Sequence, residues 1–502
     1  MKSRSSGARS LETPSGFAES GSVRDTQWPR TRPRWVAFAV AFLAVSGCQH
    51  IAPAPLSPAQ SAAELEARSL SDPRLREFLE RQLGARQPQW PPQRLDLDAL
   101  TLAAFYFQPS LDLARAQLDV ARGAIETAGQ RPNPALGVMP EWSANPGTGV
   151  NPWIAAIHLD WQIETAHKRE YRIARADALA SAAQRAVITE AWRVRRELRA
   201  AVADTVAGER RLALLRARSA AEEQLSDASL ARVQAGAASR ADAQPARLAW
   251  LATQAEIADA ERSTASARAK VAAGIGVPAR ALDGIAFDYA IGAPADPQGA
   301  PAEADARRAA LLDRADVLGA LDAYAASEAA LRLELAKQWP DLLLGSGYQF
   351  DQGQNKWGLS LALELPVMNQ NQGPIAEAVA ARREAAAAFV ALQAQVIAEL
   401  DQAFVERRGA REQVRRFEDL VAEQRRAAER ARTARAYGAT DRLAELATEI
   451  EAQRAEALLL DARVALDRAD AQLEAAVQGP LERAISETPS QAPHEIAAGA
   501  AE

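Results

Sequence analysis

The sequence predicts a mainly α-helical chain that also carries membrane β-structure, four strands in all. Three observations predict it: a unit that occurs twice, paired segments of period-two hydrophobicity, and two stretches of about 65 residues nearly free of helix breakers.

The repeat is read from landmarks. Arg131-Pro132-Asn133-Pro134 follows one helical stretch and Trp339-Pro340-Asp341 follows another, and pairing Pro134 with Pro340 gives an offset of 206. Val233-Gln234-Ala235-Gly236 answers Arg435-Ala436-Tyr437-Gly438 at an offset of 202. The four-residue difference is assigned to a hairpin loop, ten residues at Ser143–Pro152 against six at Asp351–Lys356. Self-similarity of this kind marks an internal repeat. Each unit runs in the same order. A helix (109–131; 305–338) precedes two short strands, then a very long helix (168–235; 374–437), a turn and a returning helix (239–274; 440–477).

The strands show alternation. Trp153, Ala155, Ile157, Leu159, Trp161 and Ile163 interleave with Ile154, Ala156, His158, Asp160 and Gln162. Trp357, Leu359, Leu361, Leu363 and Leu365 interleave with Gly358, Ser360, Ala362 and Glu364. Period two gives one apolar face and one small or polar face. About ten residues is the length a tilted membrane strand needs. Trp142, Trp153, Trp161, Tyr348, Phe350 and Trp357 stand near strand ends, as in an interfacial girdle. Two soluble hairpins packed on the helices are the competing reading. Four strands cannot close a membrane barrel, and open edges in lipid leave backbone groups unpaired. Strands pooled from three chains give twelve.

His167–Ala235 holds no proline and one glycine, Gly208. About 65 helical residues reach roughly 100 Å. Val187, Val194, Leu198 and Val202, and then Phe389, Leu392, Val396, Leu400 and Phe404, recur at threes, fours and sevens and form packing stripes.

At the N-terminus, Arg30, Arg32 and Arg34 precede an apolar run, Trp35–Val45, that suits a signal h-region and is too short to span a bilayer. Val45-Ser46-Gly47-Cys48 resembles a lipobox, with Cys48 lipidated; Gln49 after it implies the outer membrane. The segment 1–29 is long and polar for an n-region, so Val23 is a candidate initiator. The expected organisation is a signal peptide at 1–47, a lipidated tether and N-terminal segment at 48–94, a first repeat at 95–280, a linker at 281–304, a second repeat at 305–480 and a tail at 481–502. No later segment has 18 consecutive apolar residues, so no mature transmembrane helix is expected.

Composition excludes several functions. A net charge of −6 gives no basic surface for nucleic acid. One cysteine cannot form an intrachain disulfide, and His50, His158, His167 and His494 show no metal-ligand spacing. No nucleophile–base constellation and no Walker-type loop appear. A non-enzymatic chain with no cofactor is expected.

Over about residues 95–480 the chain resembles the TolC-type outer-membrane efflux family. The resemblance rests on the duplicated unit, Arg131–Pro134, Val271–Pro278 and Leu365-Pro366-Val367-Met368-Asn369-Gln370-Asn371-Gln372-Gly373. The last is similar to the strand-to-helix segment of the heavy-metal efflux branch. Glu164–Arg169 resembles that branch's Gly-Gly-Lys-Arg segment, with Ala166 and His167 in place of the glycines. The resemblance implies a homotrimer: a 12-stranded outer-membrane β-barrel, four strands per chain, continued by a long periplasmic α-helical barrel. It also implies a periplasmic adaptor and an inner-membrane pump of the resistance-nodulation-division type as partners. The channel would be a passive exit duct for metal cations or drugs.

In that family the turns near Gly236 and Gly438 meet the adaptor. Arg232, Arg240, Asp242, Arg435, Asp441, Arg442 and Glu445 are therefore candidates for charged rings at the tunnel mouth. Asp441 and Glu445, at i,i+4, are expected to share a face. The plain reading of Ser239 and Asp441 is helix capping. A lipidated periplasmic coiled-coil adaptor or structural envelope protein is the alternative function, and a hydrolase built on the scattered carboxylates is the remaining class.

Overall fold

The structure, a computed structural model, describes residues 51–84, 90–292 and 303–479. The chain divides into two units, residues 1–58 and 59–502. Of the first, residues 51–58 are described, and they are exposed. Cys48, His50, the signal segment, residues 293–302 of the linker and the tail with His494 lie outside the described residues.

The N-terminal segment read at 48–94 contains two helices, α1 (Pro58–Glu66) and α2 (Pro73–Leu83), and strand β1 (Arg94–Asp96). Asp72 caps α2 by accepting from the Arg74 amide at 2.8 Å. The first repeat follows as α3 (Leu97–Phe107), α4 (Pro109–Gly129), β2 (Ala135–Trp142), β3 (Trp153–Ile163), α5 (Lys168–Gln234) and α6 (Arg240–Ile275). Strand β4 (Ala286–Asp288) lies in the segment read as linker and pairs in parallel with β1. It is ordered there because Ile285 is buried and Phe287 packs beneath the Arg268 guanidinium. The second repeat is α7 (Glu303–Leu312), α8 (Ala315–Ala336), β5 (Leu342–Asp351), β6 (Gln354–Leu363), α9 (Gln372–Ala436) and α10 (Arg442–Val477).

The helix expected over 305–338 is two helices. Arg314 is extended (φ −60°, ψ 133°) and breaks it. The first repeat breaks at the matching place, Gln108, where the following proline disfavours helical backbone. Arg314 has no such proline, and its buried side chain holds the break. It donates to Asp316 Oδ2 (2.6 Å), Glu399 Oε2 (3.0 Å) and the Ala476 carbonyl (2.9 Å). Gln108 donates to the Gly274 carbonyl at 3.1 Å. In both repeats, then, the break is tied to the end of the returning helix. Burial lowers the Arg314 pKa, but the hydrogen bonds and charges of Asp316 and Glu399 outweigh it and the net shift is upward.

The four long strands form one antiparallel sheet in the order β2-β3-β5-β6. Its register revises the expected site of the length change. Trp142 pairs with Trp153 and Tyr348 with Trp357, so the hairpins differ by two residues, not four. The other two are lost in the long helix, 67 residues in α5 and 65 in α9. The stripe Val194, Leu198 and Ala201 already matches Val396, Leu400 and Ala403 at 202, which puts that loss in the first turns of α9.

Ala166 and His167 both adopt the left-handed conformation, φ 57° and 60°, and the matching Asn371 has φ 63°. A Cβ makes this backbone costly and glycine relieves it. Glycine at either position is expected to stabilise by about 0.5–1 kcal/mol, after the larger entropy of the unfolded glycine chain is subtracted. Thermal melts of detergent-solubilised Ala166→Gly and His167→Gly check this; a lower Tm would refute it.

The helices α5 and α6 pack along their lengths, as do α9 and α10, and α5 also packs on α10. Leu75 and Leu79 of α2 share one core with Leu100, Leu198, Val271 and Ile275 of the first repeat, while Val396, Leu400 and Leu473 form the counterpart in the second. By length and composition, α9 alone among the described helices has a stretch that fits a membrane span, and 17% of it is buried in the single chain.

Candidate functional site

Both long helices end in the same way. Gly236 (φ 70°) and Gly438 (φ 71°) are left-handed. The amides of Gly236 and Ala237 donate to Val233 and Arg232, and those of Gly438 and Ala439 to Arg435 and Ala434, at 2.8–3.0 Å. This is the Schellman arrangement, in which glycine at C′ satisfies carbonyls the helix leaves open. No neighbouring atom lies within 4 Å of a Cβ built on either glycine, so the requirement is conformational, not steric.

The returning helices start with caps. Ser239 and Asp242 form a reciprocal capping box on α6. Asp441 accepts from the Ala444 amide at 2.9 Å. Hydrogen bonds from the Ser239 backbone and hydroxyl hold the Asp242 pKa below its usual value.

Asp441 and Glu445 were expected to act as a pair on one face, and their roles are different. Glu445 is buried and accepts from Arg435 and Arg442 of its own chain, each at 2.6 Å. Hydrogen bonds first from Arg442 and then from Arg435 hold its pKa below the usual carboxylate range, against the effect of burial. Its charge is thus compensated inside the α9–α10 pair, while Asp441 stays exposed. Arg442 also donates to Gln224 Oε1 of α5 at 2.6 Å, which ties the two repeats at their tips. Arg232, Arg240 and Asp242 are exposed, as is Arg435.

Sequence reading missed Gln224 and Glu222. Glu222 is 1% exposed, with ionic contacts to Arg218 (3.4 Å) and Arg454 (3.8 Å) and no hydrogen-bond partner for either oxygen. A signal was available: Val194, Ala201, Gly208, Leu215 and Glu222 recur at sevens, so the carboxylate occupies a position of the packing seam.

At the other end, the sheet has two distinct faces. Trp357, Leu359 and Leu361 are 83%, 79% and 63% exposed, so the apolar face is not covered by the helices. On the opposite face, a Cβ at Gly137 would fall 2.1 Å from His158 Nε2, and one at Gly345 would fall 2.3 Å from Ser360 Oγ. The glycines make room for polar side chains there. Trp142 with Trp153 and Tyr348 with Trp357 form aromatic contacts at the loop ends of the hairpins, centroids 4.7 and 5.0 Å apart.

A sheet with an exposed apolar face is joined to helices of about 100 Å that end in capped turns. The family described as outer membrane efflux protein matches residues 107–277. Among solved structures, the outer membrane protein VceC of Vibrio cholerae is 18% identical, with TM-score 0.62, over 77% of this chain and 97% of that one. The open state of the Neisseria gonorrhoeae MtrE outer membrane channel is 19% identical, with TM-score 0.62, over 77% and 90%. CusC, described in its forming of a transmembrane channel, is 16% identical, with TM-score 0.61, over 86% and 99%. No curated protein matches the sequence. The chain has the fold of the TolC-type outer membrane efflux proteins, and its first repeat carries their sequence pattern.

Proposed function

We propose that this chain is the outer-membrane channel of a tripartite efflux system, a passive duct for metal cations or drugs driven by an inner-membrane pump. The observation that carries it is the sheet. Its apolar face is exposed, and both outer strands, β2 and β6, have an unpaired edge. In lipid such edges must be paired, and strands of further copies supply the pairing. Three copies pool twelve strands.

The helices support the same closure. Seventeen residues of α10 are buried against seven of its repeat counterpart α6, and fifteen of α5 against seven of α9. The chain lets α5 pack on α10, with no comparable packing of α9 on α6. A ring of copies sets α9 of one against α6 of the next and removes the difference. The alanine-rich apolar stretch of α9 fits this contact and is read as ring wall, not as a span.

Cys48 anchors the mature chain by lipidation in this reading. The mouth formed by Arg232, Gly236, Arg240, Asp242, Arg435, Gly438, Asp441, Arg442 and Glu445 meets a periplasmic adaptor, behind which stands a resistance-nodulation-division pump. The test is the mass of the detergent-purified protein with single-channel recording in a planar bilayer. A trimer that conducts is expected, with an acylated N-terminus by mass spectrometry that Cys48→Ala removes. A non-conducting monomer would favour the periplasmic adaptor reading, and an unmodified Cys48 in exported protein would remove the anchor.

A further inference from the structure

The middle of α9 carries positive charge that its surroundings do not balance. Phe404, Arg407, Arg408, Arg411, Glu412 and Arg415 line a groove of about 520 Å³, within the size range of small-molecule sites. Arg407, Arg411 and Arg415 are four residues apart. Each step climbs the helix by about 6 Å, so these side chains follow one another along one face. Arg408 stands beside them and is exposed.

Few acceptors face these groups. Asp470 of α10 accepts from Arg407 Nε, and Glu412 is paired with Arg416 at 3.0 Å. Among the described residues, the side chains of Arg408, Arg411 and Arg415 make neither an ion pair nor a hydrogen bond. Four guanidinium groups thus share one carboxylate, that of Asp470. Arg407 is buried, and its Nη2 has no acceptor. Arg411 is half-buried; burial first, and then the Arg407 charge, lowers its pKa. Guanidinium groups withdrawn from water without acceptors are costly, and an anion from outside the chain removes that cost.

The fold does not require the cluster. Repeat equivalence at 202 puts Thr205, Val206, Glu209 and Ala213 at the matching positions of α5. None is basic, yet α5 packs along α6 as α9 packs along α10. The ligand class follows from the charge and the geometry. Three positive charges in excess favour an anion with more than one negative charge. Guanidinium forks one turn apart match the oxygen pairs of a tetrahedral oxyanion, which a chloride ion does not offer. Phe404 gives the groove an apolar wall on which an organic group can rest.

We propose that this groove binds a phosphate group, as the free ion or as a small phosphomonoester, gripped by Arg411 and Arg415 and attracted by the charges of Arg407 and Arg408. The experiment is calorimetric titration of the full-length protein, purified in detergent and held in chloride, with inorganic phosphate and then phenyl phosphate at constant ionic strength. A single saturable site per chain is expected. Arg411→Gln and Arg415→Gln should each weaken binding by about tenfold or more, the loss of a charge-assisted hydrogen bond. Glu412→Gln should not weaken it, since that carboxylate serves Arg416. Tighter binding of phenyl phosphate, lost in Phe404→Ala, assigns the site to an ester; equal binding assigns it to the free ion. Melting in chloride checks the fold: Arg411→Gln is expected to melt no lower than the parent, because it removes a charge without a partner. Heats that do not saturate, or binding that survives loss of both arginines, overturn the proposal. So does an Arg411→Gln variant that falls apart into single chains while the parent ignores phosphate, since the groove would then hold a carboxylate of another copy.

Discussion

Arginine at Leu361 is expected to cost about 2–4 kcal/mol of the membrane-inserted state, the cost of placing that side chain on the lipid face near the bilayer midplane. Leu359, Leu361 and Leu363 lie on the exposed apolar face of β6. Desolvation of the guanidinium dominates at such a site, since lipid offers it no partner. Arginine at Ser360 is expected to be much milder. That residue pairs with Gly345 on the face where His158, Asp160 and Gln162 gather, and a barrel lumen holds water there. Denaturant titration in lipid vesicles, with trimer yield on unheated gels, separates the two sets. Equal losses at 360 and 361 would mean that neither face of β6 meets lipid.

Removal of the Asp470 carboxylate should be as damaging, because it too leaves a guanidinium away from water without its partner. Arg407 and Asp470 are buried between α9 and α10, joined through Arg407 Nε, while Arg407 Nη2 has no hydrogen-bond partner. Alanine at 470 leaves a buried cation alone, which costs about 3–5 kcal/mol. The neighbouring Arg411 adds to the strain of charge. Burial first, and then the Arg407 charge, push its pKa down. The double replacement Arg407→Met with Asp470→Leu is expected to cost far less, because the uncompensated charge goes with it. The first repeat already manages without this pair: Thr205 occupies the matching position and bonds the Ala201 carbonyl at 2.8 Å. Equal stability losses in the single and double variants, measured by denaturation of the purified trimer, would show that the ion pair itself holds the helices together.

Much of the architecture was legible in the sequence because the forces that set it are local. Alternation in Trp153–Ile163 specifies a two-faced strand wherever it lies, and the observed β3 has those bounds. The long helix read at 168–235 is Lys168–Gln234, since its limits are a left-handed residue on one side and a glycine turn on the other. Ser239 and Asp441 cap as read, because a cap needs only the next three residues.

What required the tertiary structure depends on residues far apart in the chain. The break at Arg314 has no proline to announce it; the carbonyl of Ala476, more than a hundred and fifty residues on, holds it. The two residues missing from α9 were hidden because alanine-rich helix has no landmark until the packed stripe at Val396. Glu445 has the spacing of a paired carboxylate with Asp441, yet α9 brings Arg435 against it and its charge is compensated inside the chain. Pairing of β3 with β5, which joins the two hairpins into one sheet, likewise follows from the packing of the repeats, because period two fixes which face a strand presents but not which strand lies beside it.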